Sequence, residues 1–350
     1  MRLVLAIAAG LIVTVIVATG VTLAVLRTQS RTNNQQVELQ PGITITEDSA
    51  IVAAATKARP AVVSVVTQQT PTIITGSGFL ATSDGFIVTN INVVAGANGM
   101  TVLIPGDSKT HDARLVDYDC QTGVAVIKID KVSGLPTLGF ADPTALVQGQ
   151  VIVAVGGPVA GSAVTPAYVS AMHRVSSESD PVNLGHTLQF SDTIETSAPI
   201  DGGTSGGPLL NVGSQVVGIA VESSATRAGF GLNVADIVDD VQQILQTGQV
   251  TVASLGAAST DITPAQAALN GLPEGTQLVT VDKIGPAASA GLQTGDVITQ
   301  IDDLRLDASH PLTLLLRSQF HANQRVTVTY SRNGVSTQAE LTLTGQHPTC

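Results

Sequence analysis

Positive charge is scarce in this 350-residue chain: 16 Lys and Arg stand against 27 Asp and Glu, a formal net charge of −11. No basic face is available to meet a phosphate backbone, so the composition argues against a nucleic-acid binder. Cysteine is nearly absent. Cys120 and Cys350 are the only two, too few for a disulfide framework or a metal site. A bridge from mid-chain to the last residue is a weak pattern, and two unpaired thiols are the expectation. Charged residues of either sign reach only 12%, while hydrophobic residues make up 43%. Core material is therefore ample, and the composition shows little sign of general disorder. No metal and no cofactor is expected.

What the chain does have begins with an apolar run. Residues 3–26 contain no charged side chain and are long enough to cross a bilayer as a helix, which needs about 20 apolar residues. A cleaved signal peptide competes with this reading, since Arg2 supplies a charged start. Signal peptides have apolar cores of roughly 7–15 residues, and this run is longer and is followed by Arg27 and Arg31. It reads as an uncleaved membrane anchor. Charge bias does not orient it, because Arg2 with the amino terminus balances Arg27 and Arg31. Residues 27–48, rich in Gln, Asn and Thr, read as a polar tether.

The 34 Gly and 16 Pro suit many short strands joined by turns. From residue 51 to about 221, β-branched segments at 61–67, 78–80, 86–89, 101–104, 124–129, 151–155 and 215–221 alternate with turn signals. Asp84-Gly85 between two of them is a hairpin signal. An all-β barrel or sandwich is the expected architecture. Helical spacing appears at 234–245, where Ile237, Val238, Val241, Ile244 and Leu245 share a face, and Gly248 closes it. A second unit follows, with strands near 277–281, 297–301, 325–330 and 338–343 and a helix over 311–320. The tail from residue 347 to 350 carries no signal.

The most informative stretch is Gly202-Gly203-Thr204-Ser205-Gly206-Gly207-Pro208-Leu209. A serine in a glycine-rich turn can expose its hydroxyl while backbone N–H groups converge nearby, as acyl transfer requires. The alternative is a tight turn that needs a small residue.

Around this motif the sequence resembles the HtrA/Deg family of trypsin-like serine proteases. Gly76-Ser77-Gly78-Phe79 is similar to the first barrel strand of the family, and Ser83-Asp84-Gly85-Phe86-Ile87-Val88-Thr89-Asn90 to the hairpin that leads to its catalytic histidine. Ala125-Val126-Ile127-Lys128-Ile129-Asp130 resembles the strand after its catalytic aspartate. Ala198-Pro199-Ile200-Asp201 leads into the serine loop as in the family, and the segment from Val241 to Gly248 is similar to its exit helix. The resemblance covers roughly residues 50–345. It implies a mainly β protein: two six-stranded trypsin-like barrels over 49–249, with the active site between them, then an α+β PDZ domain over 250–346. Residues 1–2 would be a cytoplasmic N-terminus, 3–26 the single-pass transmembrane helix and 347–350 a tail.

On that resemblance Ser205 is the nucleophile position, and Gly203 and Ser205 are the oxyanion-hole donors. The rest of the triad departs from the family. Where the family has its histidine, Thr89-Asn90-Ile91-Asn92-Val93-Val94 places Asn92, and an amide accepts no proton near neutral pH. Where it has its aspartate, Asp119-Cys120-Gln121-Thr122-Gly123 places Gly123, which has no side chain to orient a base. None of His111, His173, His186, His310, His321 and His347 falls beside the base position, and Asp117 and Asp119 have no histidine to support. Loss of a triad member costs on the order of 10⁴–10⁶ in turnover. The expectation is a pseudoprotease.

Ser254-Leu255-Gly256-Ala257 resembles the PDZ loop that receives a peptide's terminal carboxylate through backbone N–H groups. Ile284-Gly285-Pro286-Ala287, Ala290-Gly291-Leu292 and Gly295-Asp296-Val297-Ile298 are similar to the rest of that domain's signature. Leu255 and Ala257 point to a guest with a hydrophobic C-terminal residue. The implied partners are peptides or unfolded proteins, with the membrane held through the N-terminal helix and the soluble domains extracytoplasmic. Family members form trimers through the protease domain, so a homo-oligomer, or a hetero-oligomer that regulates active relatives, is a further expectation. The alternative is a working endopeptidase of envelope quality control with an unusual base.

Overall fold

The computed structural model describes residues 18, 19, 21, 46–69, 72–179, 187–197, 199–223, 229–308 and 310–348. The expected membrane helix over 3–26 and the tether lie almost wholly outside the described residues. Among those described, no helix is long and apolar enough to cross a membrane. Glu47–Cys350 forms one compact unit.

The described chain opens with α1 (Thr46–Ala58), an alanine-rich helix that the sequence pattern did not announce. Its Ala55 and Ala58 pack into the first core, and Pro60, with no N–H to continue the ladder, turns it into a 3₁₀ turn. Six strands then close a barrel: β1 (Val62–Gln69), β2 (Thr72–Leu80), β3 (Phe86–Asn90), β4 (Gly99–Leu103), β5 (Thr110–Tyr118) and β6 (Val124–Ile129), in the order β1-β2-β3-β6-β5-β4. The one-turn helix α2 (Ile91–Val94) follows β3. All six positions of β6 are buried. Its one charged residue, Lys128, carries its Nζ to the Asp84 main-chain carbonyl and carboxylate and lies over the Phe86 ring.

A second closed barrel comprises β7 (Val151–Val155), β8 (Val164–Ser179), β9 (Thr187–Thr196), β10 (Pro208–Leu210), β11 (Val216–Val221) and β12 (Phe230–Asn233), in the order β10-β11-β12-β9-β8-β7. The two barrels share apolar material. Phe190, Leu210, Ile219, Phe230 and Leu232 from the second join Phe79, Ile87, Val124 and Ile127 from the first in one buried cluster. The helix α3 (Val234–Thr247) seals it with Ile237, Val241 and Ile244. Its start is capped by Asn233, which accepts from the Ala235 N–H, and it ends at Gly248 in the left-handed conformation.

The remaining domain holds β13 (Val252–Ser254), β14 (Ala257–Ile262), α4 (Pro264–Asn270), β15 (Gly275–Val281), α5 (Pro286–Ser289), β16 (Val297–Ile301), β17 (Leu304–Arg305), α6 (Leu312–Ser318), β18 (Arg325–Arg332), β19 (Val335–Thr342) and β20 (Thr344–Gln346). Its sheet runs β14-β15-β16-β18-β19, and β13 pairs separately with β20. Leu278, Ile298, Leu312, Leu316, Phe320 and Val328 build its own core.

The expectation of two free thiols is overturned. Cys120 is disulfide-bonded, and no described cysteine is free. The other cysteine of the sequence, Cys350, lies outside the described residues. Sequence separation misled here because β13–β20 pairing brings residues 344–347 back to the first barrel, where His347 meets Asp117 at 2.9 Å.

Candidate functional site

The loop carrying Ser205 is held in a turn from Asp201, whose main-chain carbonyl accepts from the N–H of Thr204 at 3.0 Å and of Ser205 at 2.9 Å. The Asp201 carboxylate takes a further bond from the Thr204 N–H. Ser77 on β2 clamps the loop from the other barrel. Its Oγ donates to the Gly203 carbonyl at 2.6 Å and its N–H to the Ser205 carbonyl at 2.7 Å. Gly206 has φ +84°, and a Cβ there would sit 2.2 Å from Thr89 Oγ1. Glycine is required at that point of the loop.

Ser205 is 5% exposed. Its Oγ accepts the Nδ2–H of Asn90 at 2.9 Å and the Glu222 N–H at 3.3 Å. The same Asn90 amide donates to the Ala220 carbonyl, and its Oδ1 caps α2 through the Val93 N–H. Asn90 is therefore the side chain that touches the candidate serine, and sequence reasoning passed over it. Its signal was an asparagine immediately before a short helix, which is a cap signature. The Ser205 N–H, one of the two expected oxyanion donors, is engaged by Asp201.

Asn92, expected at the base position, stands on α2 half-buried. Its Oδ1 is buried with no hydrogen-bond partner among the described residues. Gly123, expected at the acid position, precedes β6, and its carbonyl accepts the Ile91 N–H at 2.8 Å. Its φ is +77°, and a Cβ there would lie 2.6 Å from Phe190 Cε1 and 3.2 Å from Leu232 Cδ2. An aromatic ring of the second barrel thus fills the space that a side chain at 123 would need. Phe190 is 1% exposed and tilts against Phe230 at 5.7 Å between ring centroids.

Four described histidines meet carboxylates away from Ser205: His111 with Asp107, His173 with Asp192, His310 with Asp307 and His347 with Asp117. The last pair corrects the expectation that Asp117 has no histidine to support. His186 lies outside the described residues.

Two closed six-stranded barrels thus hold a glycine-rich serine loop between them and are followed by a third domain. The profile of the trypsin-like peptidase domain matches residues 76–219, and that of the PDZ domain matches 216–343. Serine protease Do-like HtrA of Lactococcus lactis subsp. lactis is 32% identical over 289 residues, covering 77% of this chain and 70% of its own length. The chain belongs to the HtrA family. A probable periplasmic serine endoprotease DegP-like of Halomonas elongata is 33% identical over 276 residues, and the chain spans 56% of that relative. Among solved structures, HtrA-type protease AlgW with decapeptide aligns with a TM-score of 0.69 at 26% identity, covering 85% of this chain and 99% of AlgW. The serine endoprotease from Yersinia pestis aligns at 0.63 and 25%, with 85% of this chain and 98% of that one covered.

In the PDZ domain of this HtrA-family chain, a groove of about 270 Å³ opens between β14 and α6, lined by Leu255, Ala258, Leu312 and Leu316. The expected carboxylate loop borders it with Ser254, Leu255 and Ala257. There the Ser254 Oγ accepts the Gly256 N–H at 3.0 Å. Gln121 of the first barrel and His347 of the tail also border the groove.

A cluster that sequence reasoning missed ties this groove to the protease domain. Arg317 on α6 reaches Asp119 at 2.6 Å and Asp240 of α3 at 2.5 Å, and its Nη1 donates to Gln121. Thr122 donates its hydroxyl to Asp240 at 2.8 Å. Burial pushes the Asp240 carboxyl up to about 7 against the pull of Arg317. Burial also disfavours the Arg317 charge, but Asp240 and Asp119 outweigh it and raise its pKa.

Proposed function

We propose that this HtrA-family chain is a pseudoprotease: a trypsin-fold binder of peptides or unfolded proteins that holds them without cutting. The observation that carries this reading is the Phe190 ring against Gly123. A triad acts as a unit, and here the acid's place combines a positive φ with a filled core. Asn92 cannot relay a proton. The Ser205 Oγ accepts from Asn90 and its N–H is engaged by the Asp201 carbonyl, which supports the same reading.

Peptide binding rests on the groove beside Ser254, Leu255, Gly256 and Ala257, whose lining mixes Leu255, Leu312 and Leu316 with polar side chains. Among the described strands β14 stands at the end of its sheet, which suits a guest added as a strand with its carboxylate at the loop. An extracytoplasmic site fits the disulfide at Cys120, since such bonds persist in oxidising compartments, and tethering rests on the apolar run over 3–26.

The test is reaction of the native chain with a fluorophosphonate and incubation with an unfolded protein, beside Ser205→Ala. Neither labelling nor cleavage is expected. Cleavage that disappears in Ser205→Ala would sink the pseudoprotease reading and leave an endopeptidase with an unforeseen base.

A further inference from the structure

Residues 346–348 lie against the peptide groove. β20 pairs with β13 up to Gln346–Val252, so the tail passes directly by the carboxylate loop. The Ser254 Oγ donates to Gln346 Oε1 at 2.8 Å while it accepts the Gly256 N–H. One loop N–H that could meet a guest carboxylate is thereby tied, through Ser254, to the tail. His347 and Pro348 continue along the groove wall.

His347 is latched on both ring nitrogens. Its Nε2 faces Asp117 Oδ1 and Oδ2 at 2.9 and 3.1 Å, and its Nδ1 faces the Pro348 carbonyl at 2.9 Å. Both partners are acceptors, a setting that suits the doubly protonated ring with a donor on each nitrogen. Asp117 is fixed in turn by the Val250 N–H at 2.7 Å. The charged groups facing the ring are Asp117 and, farther off, Asp119; the hydrogen bond to Asp117 and its charge raise the histidine's pKa over the opposing effect of burial.

We propose that residues 346–348 form a strap across the carboxylate end of the PDZ groove, which a peptide's free C-terminus must displace in order to bind. The strap makes this groove self-limiting, and its latch is an ion pair that exists only while His347 is protonated. Guest affinity therefore rises with pH as the imidazolium is lost. This inference rests on the reading of the groove as a peptide site.

The test measures, by fluorescence anisotropy, binding of a labelled octapeptide ending in a free-carboxylate valine. Three proteins are compared, all with Cys350 in place: the full chain, the full chain with His347→Ala, and the full chain with Asp117→Asn, which removes the latch partner. Both altered forms should bind about tenfold tighter than the full chain at pH 6, the equivalent of one charge-assisted hydrogen bond. The full chain alone should tighten between pH 6 and pH 8. Equal affinities in all three, or weaker binding by the altered forms, would overturn the strap while leaving the groove a peptide site. No binding by any form would overturn the peptide-site reading and the strap with it. The same peptide with a C-terminal amide should bind all three weakly; equal binding of amide and acid would remove the carboxylate end from the argument and overturn the strap.

Discussion

Asn90 Nδ2 donates to Ser205 Oγ at 2.9 Å, joining β3 of the first barrel to the serine loop of the second. The serine is an acceptor in a buried contact between two barrels. That relationship makes its removal costly in a way that loss of a nucleophile in a working protease is not.

Ser205→Ala should lower stability by about 1 kcal/mol, the usual net value of one buried hydrogen bond, because Asn90 keeps its bond to Ala220. Urea unfolding of the native chain and the variant checks this. An unchanged or higher midpoint would mean that the Asn90–Ser205 contact carries no load.

Restoring the triad letters should fail. In Asn92→His with Gly123→Asp, the new Cβ at 123 meets Phe190 at 2.6 Å in a left-handed backbone conformation. Overpacking alone costs about 1–3 kcal/mol, with about 1 kcal/mol more for the φ. The double variant should unfold at least about 2 kcal/mol more easily and remain unlabelled by a fluorophosphonate. Recovery of labelling would show that Phe190 yields.

Arg317→Ala should cost about 3–5 kcal/mol at pH 8, because it strands two buried carboxylates with no counter-charge. Asp119 is wholly buried and Asp240 nearly so. The loss should shrink at pH 5, where Asp240 is protonated. Unfolding by urea at the two pH values measures it, and a pH-independent loss would contradict the assignment of Asp240 as the titrating member.

The pH dependence of the native fold follows from the same carboxyl. Unfolded, Asp240 titrates near 3.8; folded, burial raises it to about 7. Between those values the unfolded chain releases a proton that the folded chain keeps. Stability relative to Asp240→Asn should therefore fall as pH rises from about 4 to 7 and stay level above. The full span is on the order of 4 kcal/mol at most. Melting temperatures of the two proteins across that range provide the check, and parallel curves would contradict it.

The legible parts of this fold were the local ones. Runs at 124–129, 151–155 and 297–301 coincide with β6, β7 and β16, since buried β-branched segments advertise themselves. The helix at 234–245 was visible from its apolar spacing, and the structure adds two residues to it. β8 went unread. Register shifts at three points break its pairing with β9, and His173 has φ +54°, so no clean alternation survives in the sequence. The letters Asn92 and Gly123 could be read from motif spacing. What surrounds them could not: Phe190 lies 67 positions beyond Gly123, and Arg317 lies 198 beyond Asp119. Contacts at such separations leave no local pattern. The same holds for Cys120 and for the tail that carries His347.

The bridge from Arg317 to Asp119 and Asp240 also bears on how separable the two domains are. In many multidomain chains a PDZ unit can be cut away or exchanged because the linker is the only tie. Here a guanidinium from α6 neutralises carboxylates that belong to the barrel and to α3. A barrel half expressed without residues 250–348 would keep Asp119 and Asp240 side by side with their cation gone. A PDZ domain borrowed from a relative would serve only if it brought an arginine to the same turn of its groove helix. The protease-like part and its neighbour are therefore not interchangeable modules, and the pair must be inherited, expressed and engineered together.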